Sequence, residues 1–158
     1  MKSKKRKLKE VKRINKYVRF LEENHEWDFV YIIDLLRFKL KMTRKYFKKE
    51  GHAIEETTNE MANQILEVEQ LLRKVIDDKY YEPFQKEIEA KYGKSKLKFG
   101  KIKNGVGKLT VKWDLPEEKK EEAINEQLRL GELATQMRKD DLKKAFDLMS
   151  ENIWNWWD

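Results

Sequence analysis

The chain has 158 residues and a formal net charge of +7, and charged residues make up 41% of it. It contains no cysteine, which excludes disulfides, thiolate metal sites and a cysteine nucleophile, and its six glycines and two prolines favour long helices over a β-sandwich or a barrel. We therefore expect a mainly α fold, a single domain over residues 1–158, built as a helical bundle of five to six helices with one inserted basic β-hairpin.

Positive charge is concentrated in two segments. Residues 1–19 hold ten Lys or Arg and one Glu, and residues 93–113 hold seven Lys and no acidic residue. Clustered cations favour phosphate binding, whereas the alternative is that they are solvated or fold back on acidic helices of the same chain. The candidate phosphate-binding residues of the hairpin are Lys94, Lys96, Lys98, Lys101, Lys103, Lys108 and Lys112. Those of the N-terminal helix are Lys5, Arg6, Lys9 and Arg13.

Apolar residues at helical intervals predict the first helix. Spacings of three and four between Leu8 and Leu21 predict a helix over residues 5–22, within a basic N-terminal segment of residues 1–22. The other faces of this helix are almost wholly basic, so its apolar stripe is narrow.

The second predicted helix is rich in large apolar side chains. It runs over about residues 28–49, with Asn24 or Asp28 as its N-cap and Gly51 as its C-terminal cap. Its apolar residues cover more than half of its circumference, which an isolated amphipathic helix does not need. We therefore expect it to be the most buried helix, with Leu36 in the core.

Two further helices are predicted before the hairpin. The apolar stripe from Ile54 to Ile76 indicates a third helix of about seven turns. Pro83 stops it or starts the next helix, a short one that Gly93 ends.

Between residues 95 and 113 the apolar period changes from about 3.6 to 2, which predicts a basic β-hairpin. We prefer a three-residue loop, Lys103-Asn104-Gly105, because a two-residue turn would mix apolar and polar side chains on each face. The preferred loop pairs Phe99 with Leu109 and Leu97 with Val111. We expect these four side chains to lie on helices, and Lys98 and Lys108 to face water.

The rest of the chain is predicted to be helical. Pro116 at a first helical position, followed by Glu117 and Glu118, opens a helix. Asp140 or Asp141 can cap a separate last helix.

The sequence contains few residues of the types that usually act in catalysis. His25 and His52 lie near predicted helix ends, where a surface or capping role is favoured over a catalytic one. A magnesium-dependent nucleotide pyrophosphohydrolase needs carboxylates spaced along helices. Such carboxylates are Glu118 and Glu121, and also Glu67, Asp77 and Asp78, but pairing with Lys or Arg is their commoner role. We expect a binding protein rather than an enzyme, with no cofactor and no metal.

Tryptophans form the other notable feature, because three of the five lie among the last five residues. On a helix Trp154 and Trp156 point about 160° apart, so one partner surface does not bury both. We take Trp113, Trp154 and Trp156 as candidates for stacking on bases or for anchoring an interface. The alternative is that the C-terminal tryptophans pack against the bundle.

Three groups of residues form a pattern. They are Glu26-Trp27-Asp28 with Leu35-Leu36, Phe38-Lys39-Leu40, Met42 and Tyr46-Phe47, then Asp77-Asp78-Lys79-Tyr80, and finally Trp156-Trp157-Asp158. Together they resemble a family of small uncharacterised tailed-phage proteins, over roughly residues 26–82 and 141–158. The resemblance implies a phage gene product of the bacterial cytoplasm or the virion. It implies no activity, so no functional residue is transferred.

We expect a non-enzymatic phage accessory protein that binds a phosphate-bearing ligand through its basic segments. The ligand is a nucleic acid or a nucleotide, including a host defence signal. The alternative is a protein-interaction module that docks on a host or virion protein through the C-terminal tryptophans. With no long apolar run and no signal peptide, we expect no membrane partner and a location in the cytoplasm of an infected bacterium. The sequence does not decide between a monomer and a homo-oligomer.

Overall fold

A computed structural model describes residues 4–23, 28–50, 55–100 and 109–156. In these ranges five helices and one two-stranded antiparallel ribbon are present, which confirms a mainly α fold with a hairpin. The elements are α1 (Lys4–Glu23), α2 (Phe29–Glu50), α3 (Glu55–Asp77), α4 (Glu82–Tyr92), β1 (Lys96–Phe99), β2 (Leu109–Lys112) and α5 (Glu117–Asn152).

The chain divides into two compact units. The terminal unit comprises Met1–Ile76 with Leu148–Asp158, and the central unit comprises Asp77–Asp147. Both α3 and α5 contribute residues to each unit. The expectation of a single domain stays a prediction.

The core of the terminal unit is built mainly on α3. Its buried apolar side chains are Ala62, Ile65, Val68, Leu71, Leu72 and Val75. The prediction that α2 is the most buried helix is wrong, because its buried apolar residues are Ile33 and Leu40, and Leu36 is only partly buried. The apolar residues of α2 are spread around the helix, and some of them face α1 rather than the core, whereas α3 concentrates its apolar residues on one stripe.

Aromatic side chains hold α1 against α2. Phe20 stacks on Phe38 with ring centroids 4.7 Å apart, and Tyr17 meets the same ring edge-on at 5.2 Å. Phe20 also contacts Tyr31 at 6.2 Å. As the contacts move toward the start of α1 they move toward the end of α2, so the two helices are antiparallel.

The described helix ends follow the predicted capping chemistry. Asp28 caps α2, since its Oδ1 accepts a hydrogen bond from the Val30 N–H at 3.2 Å. Gly93 ends α4 with a φ of 79°, a left-handed value that glycine adopts without strain. The alternative cap Asn24 and the predicted C-terminal cap Gly51 lie outside the described residues.

Two polar contacts lie inside the terminal unit. Arg44 binds Glu69 through two hydrogen bonds, from Nε to Oε1 at 2.6 Å and from Nη2 to Oε2 at 3.1 Å. Trp156 donates its indole N–H to Gln64 Oε1 at 3.1 Å. Each contact joins residues far apart in sequence.

The central unit has a separate apolar cluster. Its buried members are Ile88, Tyr92, Trp113, Ala123 and Leu130. Tyr81, Phe84, Val111 and Leu115 pack against them. The ribbon is therefore attached to the helices of this unit through Val111 and the adjoining Trp113.

The strands pair in the predicted register. Leu97 lies opposite Val111, and Phe99 lies opposite Leu109. The pairing expected from a three-residue loop is thus confirmed, while the loop itself, Lys103-Asn104-Gly105, lies outside the described residues.

Phe99 departs from the prediction that the apolar face of the ribbon lies on helices. Val111 packs against the apolar cluster, but the Phe99 side chain is 83% exposed. Phe99 is two residues beyond Leu97, the partner of Val111, and so lies about 7 Å farther along the strand. The ribbon extends past the helices that cover its base, and Phe99 is left in solvent.

The last helix is continuous, so the predicted break at Asp140 or Asp141 is wrong. Neither glycine nor proline occurs near these residues to end a helix, and an aspartate can lie on an exposed helical face as well as at a cap. The predicted start is confirmed: the Pro116 carbonyl accepts hydrogen bonds from the N–H groups of Lys119 and Lys120, at 3.0 and 3.2 Å.

Candidate functional site

The described lysines of the ribbon form the candidate site. Lys94, Lys96, Lys98 and Lys112 are all exposed, and none of them makes an ion pair with a described residue. Strand alternation places Lys96, Lys98 and Lys112 on the face opposite to Val111. We call Lys94, Lys96, Lys98 and Lys112 together the ribbon lysines.

Lys96 and Lys112 are Cα partners across the two strands. Like charges directly opposite each other destabilise an antiparallel pair. The ribbon therefore carries a local electrostatic cost that an anion bound between these two side chains would relieve.

The remaining predicted lysines of the hairpin, Lys101, Lys103 and Lys108, lie outside the described residues. The side chains of Lys5 and Arg6 do as well. Lys9 and Arg13 are exposed on α1, in the terminal unit, whereas the ribbon lysines belong to the central unit.

Several cations of α4 and α5 are placed differently, because they are bonded to acidic residues. Arg129 binds Glu126 at 2.8 Å, and Lys143 binds Asp147 at 2.5 Å. Lys91 binds Glu122 at 3.1 Å, and the Tyr92 hydroxyl donates to the same carboxylate at 2.7 Å. These hydrogen bonds, with that from Tyr92 the largest cause, lower the pKa of Glu122. These acids are neutralised by cations of the same helices, and the ribbon lysines take no part in the described pairs.

A further basic surface was not predicted from the sequence. Four lysines near the end of α2 are exposed: Lys41, Lys45, Lys48 and Lys49. The antiparallel contact places this end of α2 beside the basic first half of α1. The sequence shows these lysines, but only the pairing of the two helices brings them next to α1.

Two of the three candidate tryptophans are corrected to core residues. Trp156 is 2% exposed and its indole N–H is bonded to Gln64, so no ring face is open to a ligand. Trp113 is buried edge-on against Tyr92 at 6.2 Å, and its Nε1 has no hydrogen-bond partner among the described residues. Trp154 is 80% exposed and is the candidate that remains accessible.

Phe99 was assigned to the core by its strand period, and it is instead the exposed aromatic residue next to Lys98. Strand alternation places the Phe99 ring on the face opposite to Lys96, Lys98 and Lys112, so it can stack on a base only of a ligand that reaches both faces of the ribbon. The alternation of apolar and basic residues is the sequence signal for this arrangement, but the length of ribbon covered by helices is not encoded in it.

The segment Asp77-Asp78-Lys79-Tyr80 has a structural role in the central unit. Arg138 of α5 binds Asp78 at 2.8 Å, and the Tyr80 hydroxyl donates to Asp141 at 2.8 Å. Burial is the largest cause that raises the pKa of Tyr80 above its ordinary value, followed by the hydrogen bond to Asp141. These contacts fix the turn between α3 and α4 to α5.

A shallow groove in the central unit contains none of the predicted site residues. It has a volume of about 590 Å³ and is lined by Tyr81 and one face of α5, with Gly131, Thr135 and Lys139 along it. The groove therefore offers one cation and is a poorer phosphate site than the ribbon.

Metal-binding and membrane-spanning features are lacking in the part of the chain that the structure describes. Within it no group of three or more His, Asp or Glu is arranged to hold a metal ion. In the same ranges, no helix has both the length and the apolarity to cross a bilayer. His25 and His52 lie outside the described residues.

Comparison with protein-family models, with curated proteins and with solved structures gave no match in any of the three. The resemblance to small tailed-phage proteins stays a prediction.

Proposed function

We propose that the protein binds a phosphate-bearing ligand, a nucleic acid or a nucleotide, through the ribbon lysines and without catalysing a reaction. The observation that carries the proposal is the contrast in charge pairing. The ribbon lysines are exposed with no ion pair among the described residues, whereas cations such as Arg129 and Lys143 on α5 are bonded to acids. A cation that lacks an internal counter-charge is available to a phosphate.

The like-charged pair across the strands supports the same proposal. Lys96 and Lys112 repel each other in the free protein, and a bound phosphate removes that repulsion. Binding is therefore favoured by the attraction to each lysine and by the relief of the repulsion between them.

Phe99 favours a ligand that carries bases over a simple phosphate ion. Its exposed ring lies on the face of the ribbon opposite to Lys98, so a base stacked on the ring and phosphates bound by the lysines belong to a ligand long enough to pass around the edge of the ribbon. Stacking of this kind contributes about 1–3 kcal/mol for each base. The resemblance to tailed-phage proteins supports a role in an infected bacterium, with host signalling nucleotides among the ligands to test.

The test compares the wild type with a ribbon variant in which Lys94, Lys96, Lys98 and Lys112 are replaced by Gln. Labelled single-stranded DNA, duplex DNA, RNA and cyclic nucleotides are titrated at low salt by fluorescence anisotropy. We expect the ribbon variant to bind at least about tenfold more weakly. For a duplex, we expect its plot of log affinity against log salt to be flatter by about 0.9 for each phosphate that the variant no longer neutralises.

The matched control removes the same charge from α5, by replacing Lys119, Lys139, Lys143 and Lys144 with Gln. It should keep the affinity of the wild type within about threefold, because the ribbon lysines remain. The net charge falls as much as in the ribbon variant, so the two variants differ only in where the charge is removed. Equal reductions of affinity in the two variants would show attraction to net charge alone. Absence of binding by the wild type to every probe would reject the proposal.

Protein docking is the second candidate function, and the 80% exposure of Trp154 favours it. A single exposed indole can anchor an interface with a host or virion protein. Such an interface should depend weakly on salt, whereas phosphate binding weakens steeply. Trp154→Ala should leave the nucleic-acid titration unchanged if the two functions use separate surfaces.

A further inference from the structure

A stripe of aliphatic side chains on α1 is uncovered. Its members are Leu8, Val11, Ile14, Val18 and Leu21, and each is between 42% and 57% exposed. The contacts of α1 with α2 use a different face, which carries Tyr17 and Phe20. The aromatic side chains that contact α2 are therefore not members of the stripe, and about half of each stripe side chain is open to solvent.

The spacing of the stripe is that of a coiled-coil seam. From Val11 onward the intervals are three, four and three, so that Val11 and Val18 occupy one heptad position and Ile14 and Leu21 the other. Written as a heptad, β-branched Val stands at position a, and Ile and Leu stand at position d. Pairs of helices favour β-branched residues at position a and Leu at position d, a pattern that Val11, Val18 and Leu21 follow and Ile14 does not.

Charge placement around the seam is selective. Nine of the 20 residues of α1 are Lys or Arg. The positions that flank the seam between residues 8 and 22 nevertheless carry no cation. They are Leu8, Glu10, Asn15, Tyr17 and Glu22. The cations in this stretch, such as Lys12 and Lys16, take the positions that point away from a partner helix.

We propose that α1 pairs along this seam with α1 of a second copy of the chain. A helix that lies on an anionic membrane or binds an acidic partner gains by carrying cations beside its apolar face. Here the flanking positions exclude cations, which is what two identical basic helices need in order to approach each other. The seam spans only two heptads, so the interface is small and the dimer is weak.

This pairing predicts an unusual salt dependence. The outward cations of the two α1 helices repel each other through solvent, and added salt screens that repulsion. Association of two copies should therefore strengthen as salt increases from about 0.05 to about 0.5 M. Docking on an acidic protein or an anionic surface should weaken over the same range.

The test measures molar mass by light scattering, from about 10 µM to about 0.5 mM protein and at both salt concentrations. The full-length wild type should move from the chain mass of 19.3 kDa toward twice that mass as its concentration increases, and more readily at high salt. A seam variant, Ile14→Gln with Val18→Gln, should stay at the chain mass. Both residues are about half exposed, so its circular dichroism should match that of the wild type.

The control variant is Lys12→Gln with Lys16→Gln, on the same helix but away from the seam. It should dimerise at least as well as the wild type, because it removes repelling charges. A wild type that stays monomeric throughout overturns the proposal, and so does a seam variant that still dimerises. Binding of the monomer to phosphatidylglycerol vesicles, abolished in the seam variant, would assign the stripe to a membrane surface instead and equally overturn it.

Discussion

At the residue scale, the contact between Arg44 and Glu69 is unlike the other ion pairs of the described chain. It links α2 to α3, and the Glu69 side chain is only 8% exposed, whereas the other bidentate pair, Arg129 with Glu126, lies within α5 and is more exposed. The hydrogen bond to Glu69 is the largest cause that raises the pKa of Arg44, and burial acts in the opposite direction. A carboxylate withdrawn this far from water depends on its partner, because an unpaired buried charge is costly.

We expect Glu69→Gln to lower the free energy of unfolding by about 3 kcal/mol, since it leaves the guanidinium without its counter-charge. The measurement is urea denaturation followed by circular dichroism. Asp34→Asn is the control: Asp34 pairs with Arg37 within α2, both side chains are more exposed, and the decrease should stay below about 1 kcal/mol. Similar decreases in the two variants would contradict the structural role given to Glu69.

At the element scale, α5 shows how a capping residue can mislead. Asp140 and Asp141 have the chemistry of an N-cap, yet the helix runs through both. In the helix they have other partners: Gln136 donates to Asp140 Oδ1 at 2.8 Å, and the Tyr80 hydroxyl donates to Asp141. The preference of aspartate for an N-cap is a local one. It does not interrupt a helix when the residues on both sides favour its continuation.

The continuity of α5 can be tested with proline. In an unbroken helix Asp140→Pro removes a main-chain hydrogen bond and its ring clashes with the preceding turn, so it should cost about 3 kcal/mol more than Asp140→Ala. At the start of a separate helix the same proline would cost little. Urea denaturation measures the free energy of unfolding of the two variants. A difference below about 1 kcal/mol between them would indicate a break near Asp140.

At the scale of the whole molecule, the features predicted correctly are those set by neighbours in sequence. The helices, and the register that places Leu97 opposite Val111, follow from local periodicity. Apart from the break predicted in α5, the features predicted wrongly depend on distant neighbours. Trp156 is buried and bonded to Gln64, 92 residues away in sequence, and Phe99 is exposed although it shares a strand face with Val111. For the same reason, the basic surface at Lys45 appears only when α2 is placed antiparallel to α1.

The distribution of charge predicts how the stability of the whole chain depends on salt. The ribbon lysines repel one another with no acid among the described residues to compensate, and the chain has a net charge of +7. The variant with all four ribbon lysines replaced by Gln should therefore be more stable than the wild type at low salt. The gain should be about 0.5 kcal/mol from the cross-strand pair of Lys96 and Lys112.

In thermal denaturation, this advantage should shrink as sodium chloride increases to about 0.5 M, because salt screens the repulsion in the wild type. If the ribbon lysines were instead paired with acidic residues of the same chain, the variant would be the less stable protein at low salt. Adding an oligonucleotide should reverse the order, since a ligand that binds only the folded wild type raises its melting temperature. A variant that is less stable without ligand would therefore remove the observation on which phosphate binding rests.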